Sequence, residues 1–361
     1  MSPAPRPADP PSRSGRPRPP RAVRCGILPP HLLRTVAERG TLPQRARALR
    51  TLALDDTLRG LRATGEHARA VGGDGGRRPV RTIADAGHLE QLPGRTVRSE
   101  GDPPVGDAAA DEAYDGLGLT WELYDQVYGR DSLDGHGLPL LGSVHYSSDY
   151  DNAFWDGTQM VFGDGDGELF GRFTRSVDVI GHELTHGVTE LEAALTYSGQ
   201  TGALNESISD VFGSLVKQRS LGQSVEQADW LIGAELLLPG VQGVALRSLR
   251  APGTAYDDPV LGRDPQPATM DGYVVTSDDD GGVHLNSGIP NHAFYLASDA
   301  AGGKAWETTG QVWYDALLDP ALSARADFAM FAAVTVRVAA AADLDDVVRS
   351  AWQQVGVAVP A

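Results

Sequence analysis

The sequence predicts an α+β chain of two lobes, a strand-rich lobe followed by a helical one. Between Val80 and Arg175 the segments are short and punctuated by Gly and Asp. They alternate aromatic and aliphatic residues, as in Gln159-Met160-Val161-Phe162, which is the pattern of strands. After Val177 the apolar residues recur at helical spacing over much longer stretches. One helix-forming run, residues 176–191, lies at the seam, where clefts between lobes commonly hold ligands.

Residues 1–20 hold eight prolines and four arginines with scarcely an apolar side chain, and are expected to be a disordered tail. From Arg21 the character changes. Cys25-Gly26-Ile27-Leu28-Pro29-Pro30-His31-Leu32-Leu33 leads into helical segments at 32–38 and 43–62. Gly72-Gly73-Asp74-Gly75-Gly76-Arg77-Arg78, within residues 71–78, has the composition of a flexible linker. Residues 108–130 read as a helix inside the strand-rich region, and helices are expected at 204–219, 288–301, 304–318, 324–341 and 344–356.

The 361 residues are 41% hydrophobic without an apolar run near the ~20 residues that cross a bilayer, so no membrane span is expected. An apolar stretch of about 7 to 15 residues behind a short basic start, the mark of a secretory signal, is not visible. Residues 1–80 carry sixteen Arg, no Lys and six acids, a net of +10; against −17 for the chain this leaves −27 on the remainder. A basic segment before an acidic body is expected to fold over it, and needs no nucleic acid as partner. Cys25 is the only cysteine, so no intrachain disulfide forms.

The seam helix carries His182-Glu183-Leu184-Thr185-His186. Residues four apart share a helix face, so His182 and His186 can grip one ion while Glu183 points to its flank. Val177, Ile180, Leu184, Val188 and Leu191 form the opposite, core-seeking stripe, and Ser176 is placed as N-cap. A second run opens nineteen residues past His186 with Asn205-Glu206-Ser207-Ile208-Ser209-Asp210. There Leu204, Ile208, Val211 and Leu215 share one stripe, with Glu206 and Asp210 on the reverse. The histidine pair alone is equally compatible with core hydrogen bonding. Adding Glu206 completes the three protein ligands of a catalytic zinc site, and Asp210 is placed to accept a ligand imidazole's other N–H.

These two strings, with Asn152-Ala153-Phe154-Trp155 and Gly281-Gly282-Val283-His284-Leu285-Asn286-Ser287-Gly288, resemble the thermolysin family of zinc metalloendopeptidases. The resemblance runs from about Val80 to the C-terminus. It implies a two-lobe zincin, with residues 79–187 the N-terminal catalytic lobe, 188–361 the C-terminal helical lobe and the zinc helix between them. It also implies one zinc ion on His182, His186 and Glu206 with water in the fourth position, Glu183 as general base, and Asp210 and Asn205 behind the ligands. Tyr197 and His284 match the groups that stabilise the oxyanion, and Asp279 the carboxylate that orients His284, with its register in Asp278-Asp279-Asp280 open by one.

For substrate, Asn152 and the carbonyl of Ala153 resemble the edge that pairs with an extended peptide. Arg247 resembles the arginine that holds the carbonyl beyond the scissile bond. Phe170, Phe173, Val179, Ile232, Leu236 and Leu246 match an apolar pocket, although core packing is the plainer account of any one of them. Burial there is worth about 1.5 to 3 kcal/mol for a Leu or Phe. Cleavage is therefore expected on the amino side of Leu, Phe, Ile or Val in protein or peptide substrates.

Residues 21–78, with Cys25 and Pro29-Pro30, resemble the short propeptide of the protealysin-type branch. This implies a latent precursor whose own propeptide lies across the cleft until cut within 71–78, leaving a mature chain from near Pro79. Two roles stay open for Cys25: a thiolate on the vacant zinc position, or simple burial against the cleft. Family members are mostly extracellular, so secretion is implied by resemblance and a cytoplasmic location is the alternative. Of the carboxylates that bind paired calcium ions in well-known members, Asp178 and Asp229 are kept, whereas Lys217, Leu231 and Ala234 replace others and Val244 replaces one at a further site. The double calcium site is expected to be absent, and Gly163-Asp164-Gly165-Asp166-Gly167 to be a turn. A zinc-bearing peptide binder without turnover and a protease devoted to self-processing are the rival readings; Glu183, Tyr197 and His284 favour general hydrolysis.

Overall fold

The computed structural model describes residues 26–62 and 77–360, of which 58–62 by backbone alone. The expectations for the tail 1–20, for Cys25 and for linker residues 71–76 fall outside the described residues.

Strands β1 Arg81–Asp85, β2 Arg95–Ser99, β3 Leu140–Val144, β4 Ala153–Trp155 and β5 Met160–Phe162 form one sheet in the order β2-β1-β3-β5-β4. β1, β3 and β5 are parallel neighbours, and each outer pair is antiparallel, leaving β4 as an edge. Two helices precede the sheet, α1 Pro30–Arg39 and α2 Leu42–Arg62. α3, Ala108–Glu122, lies against β1 and β3. It starts where Asp107 accepts from the amides of Ala109 and Ala110 at 2.8 and 3.2 Å, two of the donors a helix start leaves unpaired. The single helix expected over 108–130 continues only as a π-helical turn, Leu123–Val127.

The helical lobe contains α4 Val177–Glu192, α5 Gly199–Ser220, α6 Asp279–Asn286, α7 Gly288–Ala301, α8 Thr309–Leu318, α9 Phe328–Ala339 and α10 Asp345–Gln354. A two-stranded ribbon, β6 Leu231–Ile232 with β7 Arg247–Ser248, flanks α5. The helices expected from 304 and 324 begin later, at Thr309 and Phe328, because Asp327 caps the latter through Met330 N at 2.8 Å. Ser176 occupies the N-cap position of α4 but does not cap it. Its hydroxyl lies 2.6 Å from Asp178 Oδ1 and 2.8 Å from Glu235 Oε2. Leu191, expected in the core stripe, is exposed at the frayed end of the helix.

α4 and α5 are buried on nearly every face, because they pack on each other, α4 also on α3 and β4, and α5 also on α6 and α7. They approach at two glycines. A Cβ on Gly213 would lie 2.3 Å from the carbonyl oxygen of Asp178, and one on Gly181 would lie 3.0 Å from Gly213 Cα. Beside this crossing the helices carry the imidazoles of His182 and His186 and the carboxylate of Glu206 toward each other. Beside it, Lys217 Nζ sits 3.3 Å from Asp178 Oδ2, 2.8 Å from Asp229 Oδ2 and 3.3 Å from Glu235 Oε1. Burial opposes its charge, but those three carboxylates outweigh it and raise the lysine above its ordinary value.

The N-terminal segment is integral to this packing. Ile27, Leu28, Leu32, Leu33, Val36 and Ala48 join the main apolar core, and Leu54 packs on the separate cluster of Tyr146, Tyr150, Phe154 and Val161. The attraction expected from its charge takes the form of ion pairs. Arg47 lies 3.4 Å from Asp149 and 3.9 Å from Asp151, and Arg50 3.2 Å from Glu90.

Gly213→Ala is expected to push α5 off α4, since backbone cannot yield as a flexible side chain does. The measurement is chemical denaturation together with metal content, and the expected outcome is a loss of about 1–3 kcal/mol with weakened metal retention.

Candidate active site and metal centre

His182 and His186 on α4 point their Nε2 atoms at one place, 3.2 Å apart. Each ring is fixed from behind: His182 Nδ1 lies 2.8 Å from Asp210 Oδ1, and His186 Nδ1 lies 2.8 Å from Asn205 Oδ1 and 3.1 Å from Ser209 Oγ. Both oxygens behind the rings in the shorter contacts accept, which places the ring protons on Nδ1 and leaves two Nε2 lone pairs facing each other. Glu206 on α5 adds oxygens 3.6 Å from His182 Nε2 and 3.5 Å from His186 Nε2. Converging lone pairs and a carboxylate in a buried space repel one another unless a cation joins them. The donor set fits zinc, with two imidazoles and one carboxylate and room for a fourth ligand.

The surrounding charges are matched. Burial works to raise Glu206, yet His284, His186, His182 and the Tyr197 hydroxyl together hold it low, at about 2. Burial lowers His186 to about 4, against the pull of Glu206, which keeps its imidazole neutral as a ligand must be. Asp210 is held below the usual carboxylate range, its burial outweighed by Arg247 and His182. Glu183 behaves in the opposite way. Burial first and Glu206 second push it well above its ordinary value, while the amide of Trp155 donates to Oε2 at 3.0 Å and Oε1 has no partner. A buried carboxylate oxygen with nothing to accept from is free to accept from a bound group.

Across the cleft, Tyr197 donates to Glu206 Oε1 at 2.5 Å and lies 3.5 Å from His284 Nε2. His284 Nδ1 is 2.6 Å from Asp279 Oδ1, and the His284 amide donates to Asp279 Oδ2 at 2.9 Å. Among the three consecutive aspartates it is thus Asp279 that meets the ring. Burial lowers His284, but Asp279 and Glu206 prevail and raise it. The geometry depends on a left-handed turn, with φ of +53, +51, +90 and +74 at Asp279, Asp280, Gly281 and Gly282. Two of those four positions are glycine, which adopts that region without cost.

The substrate-edge residues meet the chain's own N-terminal segment. Ile27 N donates to Ala153 O at 3.1 Å, Leu28 N to Asn152 Oδ1 at 2.9 Å and Asn152 Nδ2 to Leu28 O at 3.4 Å, with Gly26 bridging antiparallel to Phe154. Arg247 donates Nη1 to Ile27 O at 3.1 Å, and its Nε and Nη2 each reach Asp210 at 2.8 Å. Phe170, Phe173, Val179, Ile232, Leu236 and Leu246 are all buried in the main apolar core, to which Ile27 and Leu28 also belong.

Four residues were missed by sequence reasoning. Ser209 stands one turn from Asn205, so helical spacing would have found it. Asn291, which donates to Asp210 Oδ2 at 2.9 Å, comes from α7 with no local signal. Asp55 accepts from Tyr150 OH at 2.7 Å and from Asn152 Nδ2 at 3.2 Å across nearly a hundred residues. His31, lowered to about 4 by burial and then by His284, faces the catalytic side from α1.

Comparison with known proteins matches residues 77–190 to the thermolysin metallopeptidase catalytic domain and residues 193–357 to its alpha-helical domain. The chain belongs to the thermolysin family. It is accordingly a peptide hydrolase of the metallopeptidase class. It is 53% identical over 342 residues to an extracellular metalloprotease of Pectobacterium carotovorum subsp. carotovorum, covering 93% of this chain and 97% of that one. It is 45% identical to Protease PrtS of Photorhabdus sp. (strain Az29), covering 92% of each. Among solved structures, the precursor of protealysin from Serratia proteamaculans superposes with a TM-score of 0.85 at 55% identity, over 92% of this chain and all of that one. Among the described residues no helix is long and apolar enough to cross a membrane.

Glu206→Ala is expected to strip the centre, because it removes one of three ligands. Elemental analysis should find about one zinc fewer per folded chain in the variant than in the wild type; an unchanged zinc content would show that the ligand set lies elsewhere.

Proposed function

We propose that this chain is a latent zinc endopeptidase that hydrolyses peptide bonds on the amino side of bulky apolar residues, with Glu183 as general base. The observation that carries the reading is Glu183 itself: a buried carboxylate with one oxygen fixed by Trp155 N and the other without a partner beside the ligand set. A peptide binder has no use for a base there. A zinc ion on His182, His186 and Glu206 would supply a Lewis acid that polarises the scissile carbonyl and acidifies a water to a pKa of about 7. Positive charge at the ligands also draws Glu183 toward its ionised form. Glu183 then takes a proton from the attacking water and delivers it to the leaving amine. Tyr197 OH and the Nε2–H of His284 donate to the oxygen on which charge develops, and Asp279 keeps that proton on the His284 ring.

Substrate specificity is read from the segment in the cleft. Ile27 has its amide on Ala153 O, its carbonyl on Arg247 and its side chain buried, and we read it as standing where the residue after a scissile bond would stand. Asn152 holds the next residue. The same contacts are the basis of latency: residues 26–55 cover the cleft as an intramolecular inhibitor, through Pro29 and Pro30 at the start of α1 and Asp55 on Asn152. Processing is placed within residues 71–78, leaving a mature body of the two lobes 79–187 and 188–361. Whether Cys25 reaches the metal is a question of residues outside those described. The neighbouring proteins named extracellular support export as the location. Lys217, held among Asp178, Asp229 and Glu235, is read as an internal ammonium doing the work of a bound cation, with Leu231, Ala234 and Val244 offering no side-chain oxygen. That reading supports a chain without the double calcium site.

The processed protein, profiled on a peptide library, is expected to cut before Leu, Phe, Ile and Val; acidic or basic residues dominating that position would reject the pocket. Glu183→Gln should lower kcat by about 10²–10⁴ while zinc content stays unchanged. For latency, Asp55→Ala removes a charged acceptor from Asn152 and Tyr150, worth about 1–3 kcal/mol. Initial rates, taken before mass spectrometry detects any cleavage, should rise at least several-fold in the full-length variant. The processed enzyme, which no longer contains Asp55, should be unaffected.

A further inference from the structure

A second set of metal-type donors lies outside the cleft. His88, His145 and Asp164 each present a ligand atom, and the three atoms lie within 4.8 Å of one another. They come from one end of the sheet: β1, β3 and β5 are parallel neighbours, and the chain leaving their C-terminal ends supplies His88, His145 and Asp164 in turn. In sheets of parallel strands that end is where ligands are commonly held. The loops are tied to each other, His88 N donating to His145 O at 2.8 Å and Ser147 N to Leu89 O at 3.1 Å. Both histidines have left-handed backbone, φ +61 and +54, a conformation that costs a non-glycine residue energy and that folds retain where side-chain direction matters.

The rings are arranged as ligands are. His145 Nδ1 lies 2.9 and 3.0 Å from the two oxygens of Asp164, and Asp164 Oδ2 lies 3.4 Å from His88 Nδ1. These spacings are close to those between neighbouring donors around a tetrahedral or octahedral ion with bonds of about 2.0–2.2 Å. Behind the ring, His145 Nε2 lies 3.0 Å from Asp107 Oδ2, and the other oxygen of Asp107 is fixed by the amides of Ala109 and Ala110. The catalytic centre uses the same device, His182 facing its metal with one nitrogen while Asp210 holds the other.

We propose that His88, His145 and Asp164 form a second, surface metal site for a divalent ion of the zinc class, with Asp107 as the positioning carboxylate of His145. Two imidazoles and one carboxylate select a borderline-soft transition ion over calcium, which requires more oxygens. Without metal, both nitrogens of the His145 ring lie on carboxylates, Nδ1 on Asp164 and Nε2 on Asp107. An ion here would take the Nδ1 lone pair in place of the contact with Asp164. Asp164 and Asp107 are the carboxylates on the His145 ring, His88 shares Asp164, and the Arg172 guanidinium acts on both carboxylates. Arg50 pairs with Glu90 and Arg47 with Gly165 O, next to His88 and Asp164, so an ion here would tie together two loops on which α2 rests.

The test uses the full-length chain carrying Cys25→Ser, so that no thiol supplies a ligand. After loading with Zn²⁺ and desalting, native mass spectrometry is expected to count two ions per chain. Adding His88→Ala, at a largely exposed position, or Asp164→Asn should return the count to one, with the processed variants as active as the parent. Asp107→Ala should weaken the second ion by about 10- to 100-fold in competition with a chromophoric chelator. One ion in the parent, or a second ion that survives both His88→Ala and Asp164→Asn, would overturn the assignment as adventitious zinc.

Discussion

The active site depends on how closely two helices can lie. His182 and His186 belong to α4 and Glu206 to α5, so the ligand spacing is set by the distance between helix axes rather than by any loop. That distance is set at Gly181 and Gly213, where even a methyl group would strike backbone. A wider crossing would leave three donors too far apart for one ion. Small residues at the crossing and large apolar ones on either side, such as Leu184, Ile208 and Phe212, hold the approach in place. The metal then closes a pairing already made by packing.

Burying ionisable groups around the ligand set is made tolerable by opposite partners. Asp210 is the hub. It accepts from His182, from two nitrogens of Arg247 and from Asn291, so one carboxylate orients both a metal ligand and the arginine that reaches for a peptide carbonyl. Lys217 performs the equivalent role at the N-terminal end of α4, neutralising buried Asp178. Glu183 lacks such a partner, and burial with the nearby Glu206 pushes it well above its ordinary value.

Helical periodicity made the ligand pair, its acidic partner and the apolar stripes legible, because an i, i+4 relation is a statement about geometry. The string Asn205 to Asp210 likewise exposed Glu206, Asn205 and Asp210. Periodicity failed where tertiary structure assigned the partner. Ser176 looks like a cap, yet its hydroxyl is drawn to Asp178 and Glu235. Leu191 continues the stripe, yet the core has ended. Asn291, Asp55 and His88 act across 81, 97 and 57 residues respectively, distances over which one sequence carries no spacing signal. The separation of charge between residues 1–80 and the body was readable from composition; the particular pairs, Arg47 with Asp149 and Arg50 with Glu90, were not.

The proposed latency follows from covalent attachment as much as from contact. Residues 26–28 make the hydrogen bonds of an extended peptide on an edge strand, which for a free peptide of three residues give weak binding once ordering entropy is subtracted. Joined to the body, the same segment is present at an effective concentration of order mM and is further held by α1 and α2 on the core. The proposed cut within 71–78 would leave the contacts of residues 26–55 with the body in place, but would turn an intramolecular equilibrium into a bimolecular one that dilution opposes. The exposed ion pairs of Arg47 and Arg50 add little individually and weaken with salt. Loss of the tether is therefore the larger effect, and an enzyme built this way can remain quiet in the cell that makes it and open when processed and diluted.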